Sequence, residues 1–395
     1  LIAVCCFRWP IANAIGEGIE QHPEYVLWIA WILAFDTMSA IPFAKLRIEE
    51  RPLKFAAIKL SNILIVIVLN VFFLSICPKL VAANSQGLIS HIYSEETGVG
   101  YVLVANMLAS AASFLLLTPQ FRFKLRFDRK LLRTILNYSF PILVVGIFGM
   151  IVQDMDKILL PKLSPADDPM SETGLYGVAY KLAVLLNVFA MAFRYSYEPY
   201  FFKQKGTKED AQINALIMKY FITFGLLIFL TISLFLELLI ELHIIPAGYS
   251  GAFPIVPVIL MGNLFMGVFY TLSRWYKKSD RTWWGAGFAI VGAIISQTLN
   301  VLLIPIYGLT AAAWSFLVSW LCMMLLSWSF ERKYYRMRYP LRRIGGYFVL
   351  AMGVFFVSRF ASPDVIWLRL TFNAALLALF ISIIWFFERK ELLKV

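Results

Sequence analysis

Asp36, Lys59, Asp154, Asp156, Lys157, Lys181, Arg194 and Glu198 all fall inside long apolar stretches or at their edges. An ionised side chain costs roughly 2.5–3.5 kcal/mol to place at the centre of a membrane helix, so each of these residues needs a reason. A fixed cation in a wetted cavity stabilises an anion, and a carboxylate at that depth pairs with a cation or couples movement to an ion. Lys181, Lys59 and Arg194 are therefore candidate substrate-binding cations. Asp36, Asp154, Asp156, Lys157 and Glu198 are candidates for ion coupling or gating. The three histidines, His22, His91 and His243, are scattered, and Cys5, Cys6, Cys77 and Cys322 lie in or beside apolar blocks without metal-ligand spacing. Buried, inert thiols are expected, with no metal, no cofactor and no catalytic residue.

Depth ranks these candidates. Asp36 lies eleven residues past Tyr25, about 16 Å into a core of about 30 Å, where a side chain cannot reach water by extending along the helix. Ion coupling or pairing with a lysine is expected; a structural hydrogen bond is the alternative. Lys181 lies about 10 Å deep, counted from Gly174, and Lys59 about 6 Å deep, counted from Phe55. Phosphate contact is the preferred reading for Lys181; for Lys59 snorkelling competes on equal terms. Asp154 and Lys157 are three apart on one helix face, so they form either a local ion pair or, with Asp156, an outer gate. Arg194 and Glu198, four apart, are expected to pair, with an inner gate as the alternative. Arg194 is turned about 140° from Lys181, so the two do not line one stripe. Lys219, Glu237, Arg359 and Arg369 lie near span ends and are assigned no role.

The elements that must position these residues follow from composition. The chain is 60% hydrophobic and 15% charged over 395 residues. A soluble domain has roughly 45–50% apolar and about 25% charged residues, so lipid is the outer solvent here. Spans of about 20 apolar residues cross the hydrocarbon core. They are read at 25–44, 55–77, 99–118, 135–160, 174–198, 213–240, 253–273, 284–304, 309–330, 345–360 and 367–387, eleven in all. Leu1 to Phe7 reads as the last turns of a further span, and the chain is taken as truncated at its N-terminus.

Lys and Arg alternate between the connecting segments. The segments 45–54, 119–134, 199–212, 274–283, 331–344 and 388–395 hold 26 of them, whereas 8–24, 78–98, 161–173, 241–252, 305–308 and 361–366 hold only Arg8, Lys79 and Lys162. This asymmetry fits the positive-inside rule with every span crossing once, placing the first set and the C-terminus in the cytoplasm. Runs such as Arg122-Phe-Lys-Leu-Arg126 suit anionic head groups, and the net charge of +12 is a topology signal rather than a nucleic-acid footprint. The opposite loops are short, which leaves no room for a soluble catalytic domain.

The chain also resembles itself. Leu69-Asn70-Val71 returns as Leu299-Asn300-Val301 at an offset of 230. Glu50-Arg51 is echoed by Asp280-Arg281 at the same offset, and Gly98, Ala105 and Ala109 by Gly308, Ser315 and Ser319 at an offset of 210. The small residues four apart lie on one face, where they let helices approach closely. A parallel repeat of six spans is a transporter architecture. It divides the chain into 1–118, the remainder of an N-terminal lobe; 135–330, a six-helix lobe; and 345–387, two further spans.

Six plus six plus two spans is the plan of the multidrug/oligosaccharidyl-lipid/polysaccharide exporter superfamily. Several segments resemble its polysaccharide branch, the O-antigen and lipopolysaccharide type flippases: Ala40-Ile-Pro-Phe-Ala-Lys-Leu-Arg47 followed by Arg51-Pro-Leu-Lys-Phe-Ala-Ala-Ile-Lys59; Asn137-Tyr-Ser-Phe-Pro141 leading to Asp156-Lys-Ile-Leu159; and Gly174-Leu-Tyr-Gly-Val-Ala-Tyr-Lys181 leading to Glu198-Pro-Tyr-Phe-Phe202. The resemblance covers essentially the whole chain. It implies an all-α polytopic membrane protein of the bacterial inner membrane, with two six-helix lobes around a cationic cavity. The implied cargo is an undecaprenyl-pyrophosphate-linked oligosaccharide for lipopolysaccharide, capsule or exopolysaccharide synthesis. Lys181 sits where the related lipid II flippases carry a basic cavity residue. The implied partners are that lipid-linked substrate, membrane lipids and other glycan-assembly proteins, with no nucleic acid. An ion-coupled multidrug exporter of the same superfamily and a membrane-integral glycan polymerase or ligase are the alternatives.

Overall fold

The computed structural model describes residues 4, 6–15, 22–49, 51–83, 93–121, 127–204, 207–334, 337, 339–361, 363 and 365–392. Cys5, Glu50, His91 and the basic run 122–126 lie outside the described residues, as does most of 1–7. Ten helices are long and apolar enough to cross a membrane, and among the described residues there is no strand. The chain is an all-α, multi-pass membrane protein, as expected. It divides into two compact units, Leu1–Phe127 and Asp128–Val395.

In the first unit, α1 (Arg8–Ile15) makes a helix of part of the segment expected as loop 8–24. Then follow α2 (Glu24–Ile48) and α3 (Pro52–Val71), which runs through a π-turn at Phe72–Ile76 into α4 (Cys77–Ala83); α5 (Tyr101–Leu117) completes the unit. Pro52 opens α3, where its missing N–H is no loss. Lys45 and Arg47 sit in the last turn of α2, where they oppose the negative end of the helix dipole. At this basic rim Phe43, Leu46, Ile58 and Leu117 bury one another. Toward the other rim Phe73, Cys77 and Tyr101 do so, with Phe73 and Tyr101 stacked at 4.7 Å.

The second unit opens with α6 (Arg129–Leu163), whose N-terminal amides are capped by the Asp128 carboxylate. Asp168 does the same for α7 (Pro169–Lys203), and a Thr207/Asp210 capping box opens α8 (Lys208–Leu234). A break at Phe235 separates α8 from α9 (Leu236–Glu241). Next come α10 (Val256–Leu272), α11 (Arg274–Lys278), α12 (Thr282–Tyr334), α13 (Leu341–Ala361) and α14 (Ile366–Leu392). α10 is the axis of this unit: Ile259, Leu260, Leu264 and Phe269 are buried against Leu226, Leu230, Phe316 and Trp320. On other helices large apolar side chains stay outside, such as Leu185 and Val188 on α7 and Ile294 on α12. In water such a surface would drive aggregation; in lipid it is the natural outer face.

The 53 residues of α12 are two helical arms, matching the two spans expected at 284–304 and 309–330, and helical geometry is broken between them at Gly308. The chain reverses at Gly308, whose φ of 53° and ψ of -132° only glycine adopts cheaply. Trp284 and Phe330 meet at 4.5 Å between ring centroids, and a Cβ on Gly292 would lie 2.2 Å from Met323, so the two arms run side by side. Counted as two, α12 brings the crossings carried by the described residues to the expected eleven.

The internal resemblance extends to geometry within each unit. Gly98, the counterpart of Gly308, has φ 44° and ψ -119°. α2 shifted by 230 covers 254–278, and α3 shifted by the same amount begins at the first residue of α12. Asn62 donates to Ser113 Oγ at 3.0 Å; their counterparts are the touching pair Gly292 and Met323. Phe55 packs against the cluster that contains Leu46, and their counterparts Gly285 and Tyr276 are in close approach. Ala105, Ala109, Ser315 and Ser319 are all buried. The two units thus place contacts at matching positions with different side chains.

Candidate functional site

The candidate residues of the second unit lie on α6 and α7. Near the middle of α7, Lys181 is exposed, with no ion-pair or hydrogen-bond partner among the described residues. Thirteen residues on, Arg194 enters a cavity of about 150 Å³ walled by Gln153, Asn187, Met191, Met266 and Tyr270. Its guanidinium lies 5.1 Å from the Tyr270 ring centroid and 5.6 Å from that of Tyr195, a cation–π arrangement that leaves its donors available. Among the described residues no carboxylate pairs with it.

The expected Arg194–Glu198 pair does not form. Glu198 instead accepts from Lys277 Nζ at 3.0 Å, which ties the end of α7 to α11. The physical reason is the partner on offer. Tyr270 gives the guanidinium an aromatic face in the cavity, while Lys277, in the last turn of α11, brings Glu198 an ammonium at the basic rim.

Asp154 and Lys157 do form the local ion pair, at 2.5 Å, and Lys157 Nζ sits 3.6 Å from the Tyr180 ring centroid. Asp156 points elsewhere. It is buried at 2% exposure, accepting from the Tyr176 hydroxyl on α7 and from the Lys157 backbone N–H at 2.8 Å. Two helix positions amount to about 200° of rotation, so Asp156 cannot share the face of Asp154. Asp156 locks α6 to α7, and Asp154 and Lys157 face outward.

In the first unit, Lys59 is exposed and its ammonium lies 4.6 Å from the Phe43 ring centroid, resting on α2. Asp36 is exposed on α2, and among the described residues it has neither a lysine partner nor a hydrogen bond. The structure thus gathers Arg194, Asn187 and Gln153 in one cavity and Asp154 and Lys157 in one pair, and leaves Lys181, Lys59 and Asp36 at separate exposed positions.

Several polar residues that sequence reasoning left without a role are organised. Lys219 and Glu388 form a buried ion pair at 2.5 Å, with Tyr220 and Tyr347 also donating to the carboxylate. Arg369 pairs with Glu237 toward the opposite rim. Both pairs fasten α14 to the α8–α9 segment. Arg274, 5% exposed, lies 3.8 Å from the Tyr197 ring centroid. Glu331, 2% exposed, accepts from Tyr339 at 2.8 Å. Burial and the neighbouring Glu331 carboxylate push the Tyr339 hydroxyl well above its usual range, so it remains a donor. Glu172 accepts from the Leu309 N–H at 2.8 Å and from Ser164, bracing the turn at Gly308. Lys219 lies within the apolar block 213–240; Arg274, Glu331 and Glu388 lie in the charged segments at span ends, where the sequence gives no signal of a buried partner.

No family model, no curated protein and no solved structure matches this chain.

Proposed function

We propose that this chain is a transporter of the bacterial inner membrane, its C-terminus cytoplasmic, that flips an undecaprenyl-pyrophosphate-linked oligosaccharide by alternating access. One observation carries the reading: α7 holds two cations, Lys181 and Arg194, that no carboxylate among the described residues neutralises, and Arg194 stands in a cavity whose wall includes Gln153 and Asn187. Guanidinium donors in a restricted space suit the planar, bidentate recognition of phosphate or carboxylate oxygens. Uncompensated positive charge in apolar surroundings disfavours a cationic drug as cargo. The repeated turns at Gly98 and Gly308 support a transporter rather than an enzyme of glycan assembly, since parallel repeats are a transporter architecture. The resemblance to O-antigen type flippases supplies the glycan-lipid cargo.

The test is export of surface glycan by a flippase-deficient strain carrying the full-length protein, with Arg194→Gln, Lys181→Ala and Asp36→Ala beside it. Wild type restores export, and Arg194→Gln and Lys181→Ala reduce it at unchanged protein level. Full export by both cation variants overturns the assignment of the site, and failure of the wild type with several glycan types overturns the cargo.

A further inference from the structure

The largest of the cavities described lies away from these residues. It has a volume of about 500 Å³ and opens where the end of α8, the start of α10, the end of α13 and the start of α14 meet. This is the rim opposite the basic loops. Its wall is polar and built. Asn373, 3% exposed, donates to the Leu234 carbonyl at 2.8 Å and accepts from the Ser358 hydroxyl at 2.7 Å. Arg369 pairs with Glu237 and donates through Nε to the Pro363 carbonyl at 2.9 Å. Two groups on the wall are left over. The Ser233 hydroxyl is shielded from solvent without a hydrogen-bond partner. Arg359 is exposed and, among the described residues, has neither an ion pair nor a hydrogen bond.

Charge and depth together select a ligand. Among the described lining residues, Arg359 and Arg369 against Glu237 leave one net positive charge, which complements a singly charged anion. Trp367, two residues before Arg369 near the start of α14, is 66% exposed. Exposed tryptophans at helix ends mark the level of the lipid head groups. A phosphodiester is the monoanion found at that level, and an arginine beside a hydroxyl is a fitting donor set for it.

We propose that this cavity holds the phosphodiester head group of a membrane phospholipid, with Arg359 as its main ligand, Ser233 as a neutral donor and the Arg369–Glu237 pair as a rigid wall. The bound lipid occupies the seam where α13 and α14 dock on α8 and α10. The site is independent of the cargo, because it lies at the opposite rim from Glu198 and on other helices than Lys181 and Arg194.

The test uses the full chain, purified and delipidated in neutral detergent, with binding read by native mass spectrometry and by thermal shift. The probes are dioleoyl phosphatidylglycerol, dioleoyl glycerol, which lacks the phosphate, and inorganic phosphate. Phosphatidylglycerol is expected to bind and to raise the melting temperature, and the other two are not. Arg359→Gln is expected to weaken phosphatidylglycerol binding roughly tenfold, the scale of one lost hydrogen bond to a charged group. Ser233→Leu, which fills the cavity without touching a charge, is expected to weaken it as well. Arg389→Gln, at the other end of α14, is the control and is expected to bind as wild type does. Unchanged binding in both Arg359→Gln and Ser233→Leu overturns the site. Inorganic phosphate or diacylglycerol acting as strongly as phosphatidylglycerol overturns the lipid head group as its occupant.

Discussion

The Lys219 ammonium and the Glu388 carboxylate, 169 residues apart, meet at 2.5 Å with side chains 1% and 2% exposed. Lys219 belongs to α8 and Glu388 to the last turns of α14, so the pair holds the C-terminal helix against the body of its unit. Glu388 also accepts from Tyr347 at 2.5 Å and lies 3.9 Å from Arg343, both on α13. One carboxylate therefore gathers three helices.

Removing one partner from such a pair strands the other charge, which costs roughly 3–5 kcal/mol, whereas replacing both with apolar residues is often close to neutral. Lys219→Met should accordingly lower the melting temperature of the purified protein sharply, although the tyrosines and Arg343 still serve Glu388. Lys219→Met combined with Glu388→Leu should recover much of the loss. A double variant as unstable as the two single changes added together would show that the two residues contribute independently, with no coupling and no stranded charge.

A second prediction concerns the two glycine turns. Both have positive φ, so alanine strains the backbone at either, at about 1–3 kcal/mol. They differ in surroundings. A Cβ on Gly98 meets nothing within 4 Å, whereas one on Gly308 would lie 2.2 Å from Glu172 Oε1. Gly308→Ala should therefore be the more destabilising by thermal unfolding, and part of its excess should vanish when Glu172→Ala is added. Equal effects of Gly98→Ala and Gly308→Ala would refute the role of Glu172 as a brace.

These cases show what was legible in the sequence. The spans were, because lipid demands about 20 apolar residues in a row and the chain supplies them in blocks. The reversal at 305–308 was legible as a short gap between two apolar blocks, whereas the positive φ of Gly308 was not, since periodicity does not report a single dihedral. The Asp154–Lys157 pair was legible because both residues share one helix. Glu198 was assigned to Arg194 by spacing alone, and its true partner, Lys277, comes from a helix 79 residues on. Tertiary partners of this kind, Lys219 with Glu388 and Arg369 with Glu237 among them, are fixed by which helices pack together, and a single sequence does not contain that choice in local form.

The corrected partner of Glu198 can be measured. Its side chain is 31% exposed and that of Lys277 is 21% exposed, so solvent screens the pair. A double-mutant cycle with Glu198→Gln and Lys277→Met should give a coupling of about 0.2–1 kcal/mol. The same cycle run with Arg194→Gln in place of the lysine change should give a much smaller coupling. A larger value for Arg194 than for Lys277 would restore the pairing that spacing suggests.

The repeat itself makes the last prediction. Asn62 and Ser113 occupy the positions that Gly292 and Met323 occupy in the second unit, and each pair is in contact. Ser113→Met alone forces a large side chain against Asn62, an overpacking that typically costs 1–3 kcal/mol. Adding Asn62→Gly opens the space that Met323 enjoys beside Gly292, at a helix-propensity cost of under about 1 kcal/mol. The double variant should therefore melt at a higher temperature than Ser113→Met alone, although it carries one more substitution and a glycine within a helix. If the glycine only adds to the damage, the two units do not share this contact in the way their offsets imply, and the resemblance between them ends at the turns.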